Sequence, residues 1–363
     1  NYVVSLQEAV FKSSMENMVT PDFWKNKKVL ISGHTGFTGS WLSCWLNQLG
    51  ADVYGVALAP DVTPNMFSVL KLEQLIHHNE LDIRNAEQLD SLVQRIQPEI
   101  IFHMAAQALV KLSYINPVDT YSTNVMGTVN ILEAARNCQA VKVVINVTSD
   151  KCYHNDEKGL PFVETDPMGG LDPYSNSKGC AELVTQAYRY SFYQNKNIAL
   201  ASTRAGNVIG GGDWAKDRLI PDMIRAFVAE EPAIIRNPDS IRPWQHVLEP
   251  LRGYMMLAER CWENPKDFSA GWNFATEKED ATPVYQIAEN MVHFWGNKAR
   301  WCNDTVLHQP EAKLLRLSAD KARNYLKWKP RWSLHTALKH VTDWYKAYYT
   351  RQNMRAFTLQ QIQ

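Results

Sequence analysis

The sequence predicts an α/β protein with a Rossmann-type, doubly wound parallel sheet and a smaller C-terminal substrate-binding lobe. Two observations predict it. Short apolar runs alternate with helical patterns up to residue 205, and such alternation places helices on both faces of a buried parallel sheet. A glycine-rich turn follows the first apolar run and opens the first helical pattern, as in doubly wound sheets that hold a dinucleotide.

The expected elements follow the chain in order. An apolar strand at 28–32 leads through the turn into a helix whose apolar residues have helical spacing and which ends at Gly50. The remaining strands are expected at 53–57, 81–83, 99–104, 141–147 and 198–203, with helices at 86–96, 120–138 and 333–349.

The alternation stops after residue 205, where glycines and prolines begin to punctuate shorter elements. We therefore expect a dinucleotide-binding domain at 26–205, to which the chain returns near 246–262, and a mainly substrate-binding lobe at 206–350. Residues 1–25 are expected to form an N-terminal arm, either mobile or a short helix that ends at Pro21. No linker or repeat separates the two lobes, so they should share an interface.

The charge balance and the cysteines exclude several classes of function. The 363 residues carry 38 Lys and Arg against 38 Asp and Glu, so no overall field draws the protein toward nucleic acid or an anionic membrane. The six cysteines are scattered, with no CxxC pair and no His/Cys cluster for zinc. Residues 1–26 contain no long apolar stretch, so neither a signal peptide nor a membrane anchor is expected. We expect a cytoplasmic protein without disulfides or a metal.

The turn after the first strand has the spacing GxxGxxG rather than the GxGxxG of most dehydrogenases. It reads Gly33-His34-Thr35-Gly36-Phe37-Thr38-Gly39. Glycines permit a tight turn and let the backbone approach a pyrophosphate, which then lies at the helix N-terminus. The alternative is a glycine-rich turn without a ligand, which its position between a strand and a helix disfavours.

The residues that would select between NAD and NADP are not evident. An acidic residue normally ends the second strand and binds the adenosine 2′-hydroxyl of NAD, but here Ala59 and Pro60 stand there and Asp61 comes only afterwards. No arginine stands there to bind the 2′-phosphate of NADP. The sequence therefore predicts NAD, with NADP as an alternative. Asp82 is a candidate adenine contact, or else the N-cap of the helix that follows.

Tyr174 and Lys178 lie four residues apart, on one face of a predicted helix. The ammonium can lower the pKa of the phenol and bind a ribose, so that the tyrosinate takes a proton as hydride leaves the substrate. Ser149, after the fifth strand, can bind the same substrate oxygen. A YxxxK pair alone is a weak signal, and the alternative is an ordinary surface pair. Its order after the sheet, the turn and the serine favours catalysis.

Longer stretches of the chain carry a family resemblance. They lie at 33–37, 103–107, 121–128, 148–153, 172–183, 204–214 and 241–250. On these stretches the chain resembles the extended short-chain dehydrogenase/reductase superfamily and, within it, the nucleotide-sugar 4,6-dehydratases, above all the branch that acts on CDP-glucose. The resemblance covers residues 23–349. It implies a cytoplasmic, NAD-dependent lyase of deoxysugar biosynthesis, serving O-antigen or another surface polysaccharide.

The resemblance also implies a reaction. C4 of the sugar is oxidised while Tyr174 takes the O4 proton, water is lost across C5 and C6 with Asp150 as the acid, and hydride returns to C6. The product is CDP-4-keto-6-deoxy-D-glucose. Other 4,6-dehydratases carry Glu where this chain, like the CDP-glucose branch, has Lys151. Lys151 is then the neutral base at C5, if its surroundings lower its pKa, or a cation that stabilises the enolate. A solvated loop lysine is the remaining alternative.

The candidate binding residues fall into two groups. Those for the cofactor are Gly33, Thr35, Gly36, Phe37, Thr38, Gly39, Asp82, Ile83, Ala105, Ala106, Gln107, Asn124, Tyr174 and Lys178. Those for the nucleotide sugar are Asn207, Arg218, Arg236 and Arg242. Arg242 is the first choice for the diphosphate because a guanidinium binds phosphate oxygens in a bidentate way, although each arginine could instead form a surface ion pair. No residue reads cytosine by itself, so the CDP assignment depends on the resemblance alone.

We therefore expect a 4,6-dehydratase that acts on CDP-glucose as a homodimer or a dimer of dimers, paired through helices at 120–138 and 175–192. Both helices carry apolar residues on more than one face. Two rivals stay open. A nucleotide-sugar 4-epimerase has the same fold and Tyr/Lys pair but needs no acid at Asp150. A non-catalytic dinucleotide sensor can lack the pair, which is present here.

Overall fold

The computed structural model describes residues 18–155, 159–276, 281–304 and 315–363. The strands within these ranges are β1 (Lys28–Ser32), β2 (Asp52–Ala57), β3 (His77–Glu80), β4 (Ile100–His103), β5 (Val143–Val147), β6 (Ala199–Ala205), β7 (Asn207–Ile209), β8 (Ala233–Ile235), β9 (Ile241–His246), β10 (Gly271–Phe274), β11 (Ala281–Pro283) and β12 (Trp301–Asn303).

Helices connect most of these strands. They are α1 (Pro21–Trp24), α2 (Phe37–Gln48), α3 (Met66–Val69), α4 (Ala86–Ile96), α5 (Val110–Ile115), α6 (Pro117–Tyr121), α7 (Gly127–Asn137), α8 (Pro173–Tyr188), α9 (Leu219–Val228), α10 (Leu248–Glu263), α11 (Pro265–Phe268), α12 (Val284–Trp295), α13 (Leu334–Tyr349) and α14 (Met354–Ile362). Short 3-10 turns lie at Leu72–Gln74, Asp150–Cys152 and Gln194–Lys196, and π-helical turns at Ser122–Met126, Arg189–Tyr193 and Ala322–Leu326.

Seven parallel strands form the central sheet, in the order β10-β6-β5-β4-β1-β2-β3. The order reverses between β1 and β4, because the chain first builds outward from β1 to β3 and then crosses to the other side. Doubly wound sheets bind ligands in the crevice at the carboxyl ends of the strands at such a reversal. The predicted Rossmann-type α/β fold is confirmed.

Apolar layers cover both faces of the sheet because successive strand residues point to opposite sides. In β4, Ile101 belongs to the layer that includes Leu92 of α4 and Leu132 of α7. Its neighbour Phe102 belongs to the other layer, with Trp41 of α2. The continuous apolar runs of the central strands therefore serve two cores at once, as a sheet buried on both faces requires.

The expectation of a third strand at 81–83 is wrong, since β3 spans His77–Glu80. Within the described chain β3 pairs only with β2 and forms an edge of the sheet. Its residues are mostly exposed and polar, so they produce no apolar pattern in the sequence. Ile83 is buried, but it lies beyond the strand, where a Cβ on Gly127 of α7 would meet its side chain.

The chain comes back to the central sheet after it has entered the C-terminal part. Helix α10 packs against β5 and β6, and β10 then pairs in parallel with β6. The returning strand is absent from the sequence prediction because it has only four residues, and one of them is a glycine. The sheet therefore has one more strand than the sequence predicts.

The chain before β1 is anchored on α10. Pro21 occupies the first turn of α1 rather than ending a helix, as its fixed φ favours. The Trp24 indole is fully buried and donates to Glu259 at 2.7 Å, which also accepts from the Thr20 amide at 2.9 Å and hydroxyl at 2.8 Å. Residues 1–17 of the predicted arm lie outside the described residues.

A second sheet, in the order β11-β9-β7, continues directly from the carboxyl end of β6. Strand β9 runs parallel to β7 and antiparallel to β11. Only Gly206 separates β6 from Asn207, the first residue of β7, and Asn207 lies opposite Trp244. This arrangement brings β7 and β9 to the edge of the central sheet at which the ligand crevice lies.

The sequence leads us to expect no disulfide, no metal site and no membrane anchor. All six cysteines are unpaired thiols. Among the described residues no group of three or more His, Cys, Asp or Glu side chains is placed to hold a metal ion. Nor is any described helix both long enough and apolar enough to cross a membrane.

Candidate active site

The glycine turn at the end of β1 has a geometry that few other residues permit. Gly33 adopts a φ of +79°, and a Cβ there would lie 2.7 Å from the amide nitrogen of Ala105. A Cβ on Gly39 would lie 2.2 Å from the carbonyl oxygen of Gly33. Helix α2 starts here, and its N-cap, Gly36, has no side chain to bind the amides of the first turn. These amides are therefore suited to the oxygens of a pyrophosphate.

The loop after β4 is held against this turn by Ser32, the last residue of β1. Its hydroxyl accepts hydrogen bonds from the amides of Met104 at 3.0 Å and Ala105 at 3.2 Å, and lies 2.7 Å from Nδ1 of His103. Nε2 of His103 lies 3.1 Å from the Thr128 hydroxyl of α7. Two of the predicted cofactor contacts, Gly33 and Ala105, are thus brought face to face.

Gln107 and Asn124, both predicted cofactor contacts, form a reciprocal pair. The Gln107 amide donates to Oδ1 of Asn124 at 2.8 Å, and Nδ2 of Asn124 donates to the Gln107 carbonyl at 3.0 Å. Asn124 stands in a π-helical turn, a deformation found frequently at functional sites. Its Nδ2 also donates to the Ser177 hydroxyl at 2.8 Å. The pair therefore joins the β4 loop to helix α8.

Tyr174 and Lys178 lie in the first two turns of α8. Asp172 caps this helix by accepting from the Ser175 amide at 2.9 Å, and the Tyr174 amide donates to Ser113 at 3.1 Å. Both functional side chains are buried, with exposed fractions of 8% and 6%. The helix start is thus fixed from two sides.

Burial governs the protonation of both groups. It raises the pKa of Tyr174 to about 12, against a hydrogen bond with Ser149 and the charge of Arg218. It lowers the pKa of Lys178 to about 8, against the charge of Glu182. Among cations, Arg218 therefore lowers the pKa of Tyr174 most, whereas the sequence predicts this role for Lys178. In the described part of the chain the Lys178 ammonium has no hydrogen bond or ion pair, so its donors are free for a ligand.

Residues 149–151, which we call the acid segment, follow β5 and enter a 3-10 turn. The Ser149 hydroxyl donates to Oδ1 of Asp150 at 3.0 Å and accepts from the Lys151 amide at 3.2 Å. Asp150 is 4% exposed. Burial raises its pKa, although Lys151, the Ser149 hydrogen bond and Arg242 oppose the increase. A carboxyl group with a raised pKa is suited to donate a proton.

The substrate-binding candidates are not all equally close to these groups. The charge of Arg218 acts on Tyr174, and that of Arg242 acts on Asp150. Arg218 is held by Asp213 at 2.9 Å. Arg236 is paired with Asp217 at 2.8 Å.

Two of these candidates belong to neighbouring strands of the second sheet. Arg242 lies in β9, and Asn207 begins the adjacent β7. Arg236 pairs with Asp217, which also binds Lys111 of α5 with an Nζ–carboxylate distance of 2.5 Å. Asp217 therefore links Arg236 to Lys111 of the first lobe.

Of the two roles expected for Asp82, an adenine contact or an N-cap, the structure contradicts the second. Asp82 is not the N-cap of α4, because Asn85 caps that helix through the Gln88 amide. The Asp82 carboxylate instead accepts two bonds from Nε of Arg84, at 3.0 and 2.9 Å. Ile83 lies beside Gly127. The Asp82 carboxylate is thus hydrogen-bonded to Arg84, a partner that the sequence does not predict for it.

The other predicted cofactor residues line the same turns. The Thr35 hydroxyl donates to the Leu58 carbonyl at the end of β2, at 2.9 Å. The ring of Phe37 lies beside Gly210, where a Cβ would come within 2.9 Å of it. Thr38 stands in the first turn of α2, and Ala106 follows Ala105 in the β4 loop.

Several residues of the site escape the sequence prediction. They are Ser32, His103, Thr148, Tyr153, Glu182 and Arg204. One signal was available for Glu182, since it continues the spacing of Tyr174 and Lys178 by a further four residues and so shares their helix face. The others depend on contacts between distant strands, which no local pattern reveals.

Comparison with known proteins agrees with this geometry. A family model described as GDP-mannose 4,6 dehydratase matches residues 30–341. The CDP-glucose 4,6-dehydratase of Salmonella typhimurium is 51% identical over 342 residues, which are 93% of this chain and 95% of that protein. The dTDP-glucose 4,6-dehydratase of Haemophilus influenzae is 25% identical over 336 residues, which are 87% of this chain and 97% of that protein.

Solved structures show the same fold. A UDP-glucose 4-epimerase from Thermotoga maritima, solved with UDP-glucose, has a TM-score of 0.76 at 22% identity and covers 88% of this chain and 99% of its own. A dTDP-glucose 4,6-dehydratase from Bacillus anthracis, solved with NAD, has a TM-score of 0.72 at 20% identity and covers 91% and 99%. From the family model and the Salmonella relative, the chain belongs to the GDP-mannose 4,6 dehydratase family and is an enzyme of the hydro-lyase class.

Proposed function

We propose that this protein is a CDP-glucose 4,6-dehydratase, which converts CDP-D-glucose to CDP-4-keto-6-deoxy-D-glucose. The observation that carries the dehydration is the buried Asp150 carboxyl, which acts electrostatically on Tyr174 and has a raised pKa. An epimerase needs no acid for water loss there. The choice of CDP-glucose among nucleotide sugars is supported by the 51% identity to the Salmonella enzyme of that name.

NAD is the cofactor we infer, and the residues present fit a dinucleotide. The uncapped N-terminus of α2 and the close-packed Gly33 and Gly39 suit the pyrophosphate. The buried Lys178 ammonium suits ribose hydroxyls. A dinucleotide held by these residues would supply the acceptor for the hydride from C4 and its later donor to C6. NADP remains a second candidate, because β2 ends without the acidic residue that selects NAD.

In the first half of the reaction, Tyr174 takes the proton of the C4 hydroxyl and Ser149 holds the same oxygen. A phenol whose pKa is about 12 is almost wholly protonated at neutral pH, so it acts as a base only where positive charge stabilises its anion. Arg218 and Lys178 supply that charge. Oxidation of C4 acidifies the hydrogen at C5, which prepares the loss of water.

In the second half, Lys151 takes the C5 proton and Asp150 protonates the C6 hydroxyl, which leaves as water; C5 regains a proton when hydride returns to C6. We favour Lys151 as the base because Asp150 is already engaged as the acid. The alternative is that Lys151 stays charged and stabilises the enolate. We place the diphosphate near Arg242, with Arg218, Arg236 and Asn207 as further contacts.

We also propose a homodimer, or a dimer of dimers, that works in the cytoplasm. The two helical regions at 120–138 and 175–192 expose large apolar side chains, including Met126 at 51% and Leu183 at 53%. Such side chains in a contiguous region favour an interface with a second copy. The unpaired cysteines suit a reducing compartment.

The substrate assignment is tested with a panel of nucleotide sugars. We expect kcat/KM for CDP-glucose to exceed that for dTDP-glucose, UDP-glucose or GDP-mannose by about tenfold or more. An enzyme discriminates between substrates by binding their transition states with different affinities. Formation of the 4-keto product is the measurement. Equal turnover of another nucleotide sugar contradicts the CDP assignment and leaves dehydration standing.

The two halves of the reaction are separated by Tyr174→Phe and Asp150→Asn. Tyr174→Phe should slow C4 oxidation by about a hundredfold or more, because it removes the general base, so reduced cofactor does not accumulate. Asp150→Asn should permit oxidation but slow water loss by a similar factor, so reduced cofactor accumulates on the enzyme. Tyr325→Phe, at an exposed phenol, is the matched control. Full dehydration by Asp150→Asn would remove the acid role.

The role of Lys151 is decided by exchange of the C5 hydrogen with solvent deuterium. If Lys151 is the base, Lys151→Met and Lys151→Arg both oxidise C4 but stop the exchange, because Arg is not a base at neutral pH. If Lys151 acts only as a cation, Lys151→Arg keeps much of the activity. A Lys151→Arg variant that still exchanges the C5 hydrogen overturns the base role.

The oligomer is tested by light scattering at micromolar concentration. The chain of 41.5 kDa should be at least dimeric, and Leu183→Glu should shift the equilibrium toward the monomer because it places a charge in the apolar interface. Leu160→Glu, at an exposed leucine outside the two helical regions, is the control. A monomeric wild-type protein would contradict the proposed interface.

A further inference from the structure

A buried ion pair lies next to the proposed catalytic groups, further along helix α8. Glu182 is on the same face of α8 as Tyr174 and Lys178, two turns and one turn further along the helix. Its carboxylate is paired with Arg204 of β6 in a bidentate way, with Nε–Oε1 and Nη2–Oε2 distances of 2.8 Å. The side chains of the pair are only 4% and 5% exposed.

The ion pair is hydrogen-bonded to Thr148, before the acid segment, and to Tyr153, after it. On the N-terminal side, the hydroxyl of Thr148 donates to Oε1 of Glu182 at 2.5 Å. On the C-terminal side, Nη1 of Arg204 donates to the phenol oxygen of Tyr153 at 2.5 Å, and the phenol donates to Asn273 of β10 at 2.8 Å. Residues 149–152 are thus held between two side chains that share one ion pair.

The ion pair does not itself take part in the proposed proton transfers. Besides Arg204 and Thr148, Glu182 accepts from Ser202 at 2.7 Å, so its two oxygens receive four hydrogen bonds. Burial works against its ionisation, but the charge and hydrogen bonds of Arg204, together with the hydrogen bonds from Thr148 and Ser202, keep the pKa of Glu182 below its usual value. A carboxylate so fully bonded is a fixed point in the structure and not a proton donor.

We propose that the Glu182–Arg204 ion pair positions the acid segment against helix α8, by holding Thr148 and Tyr153 on either side of it. The inference rests on the proposed function, because the acid segment carries Asp150 and Lys151. Tyr174 has its own supports in Asp172 and Ser113. C4 oxidation uses only the supporting hydroxyl of Ser149 from the segment, whereas water loss uses both Asp150 and Lys151. Loosening the pair's hold on the segment therefore affects water loss more than C4 oxidation, since catalytic rates are sensitive to misplacement of a reacting group by about 1 Å.

The test uses variants that leave the ion pair whole, because removing one partner of a buried pair leaves an uncompensated charge. Thr148→Val and Tyr153→Phe each delete one hydroxyl that joins the pair to the segment. Two controls delete equally buried hydroxyls that do not contact the pair. Thr185→Val removes the bond from Asn146 to the same helix, and Tyr193→Phe removes a bond to the Leu132 carbonyl.

With CDP-glucose, Thr148→Val and Tyr153→Phe should slow dehydration about tenfold more than C4 oxidation, so that reduced cofactor accumulates. A tenfold change corresponds to about 1.4 kcal/mol in the barrier. The two controls should change both steps in parallel or not at all. A parallel loss of both steps in Thr148→Val and Tyr153→Phe, or an unchanged ratio, overturns the proposal.

Backbone hydrogen exchange gives a readout that does not depend on the substrate. Peptides that cover residues 148–153 should exchange faster in Thr148→Val and Tyr153→Phe than in the wild type and the controls. Unchanged exchange overturns the positioning role even if the enzyme dehydrates CDP-glucose. If the wild type makes no 4-keto product, the proposed function fails, and hydrogen exchange still decides whether the ion pair holds the segment.

Discussion

The close approach of two backbone segments at the carboxyl ends of β1 and β4 is the constraint on which the rest of the site depends. Any side chain at Gly33 would collide with Ala105, so the two turns meet only if this residue is a glycine. The contact lets Ser32 bind the β4 loop. Asn124 then joins this loop to α8, because it is hydrogen-bonded both to Gln107 and to Ser177. A turn suited to a dinucleotide and a helix that carries Tyr174 are in this way parts of one rigid assembly.

Burial has different consequences for neighbouring titratable groups of the site. At Asp150 and Lys178 it favours the neutral forms, so the pKa of Asp150 rises and that of Lys178 falls to about 8. One turn beyond Lys178 on the same face of α8, the hydrogen bonds on Glu182 keep a charged pair ionised at a similar depth. Groups with perturbed pKa values commonly gather at catalytic sites. Here the difference follows from how many partners each charge has.

The sequence predicts the elements whose signals are local. The glycine turn, α4 and α13 come out at or near their expected bounds, since apolar spacing and turn residues mark them directly. Strand β3 is misplaced because an edge strand with exposed polar residues has no apolar pattern. Strand β10 is missed because it is short and its partner β6 lies far away in the sequence.

The same distinction holds within the site. Tyr174, Lys178 and the acid segment are recognisable because each lies in a continuous stretch with chemical meaning. Arg204 and Tyr153 become visible only when β6 and the turn after β5 are side by side. The partner of an arginine can lie far from it in the chain, so Arg236 is found in an ion pair with Asp217, 19 residues earlier, that the sequence does not indicate.

The returning strand has a consequence for the way the chain folds. Strand β10 completes the central sheet from residues 271–274, and Trp24 finds its partner Glu259 across 235 residues of sequence. Contacts between such distant residues form late, because a long loop must close before they contribute free energy. During synthesis, β6 therefore leaves the ribosome before its partner β10, and the sheet edge at β6 stays open until β10 follows. The central sheet is complete only when the C-terminal part of the chain has returned to it.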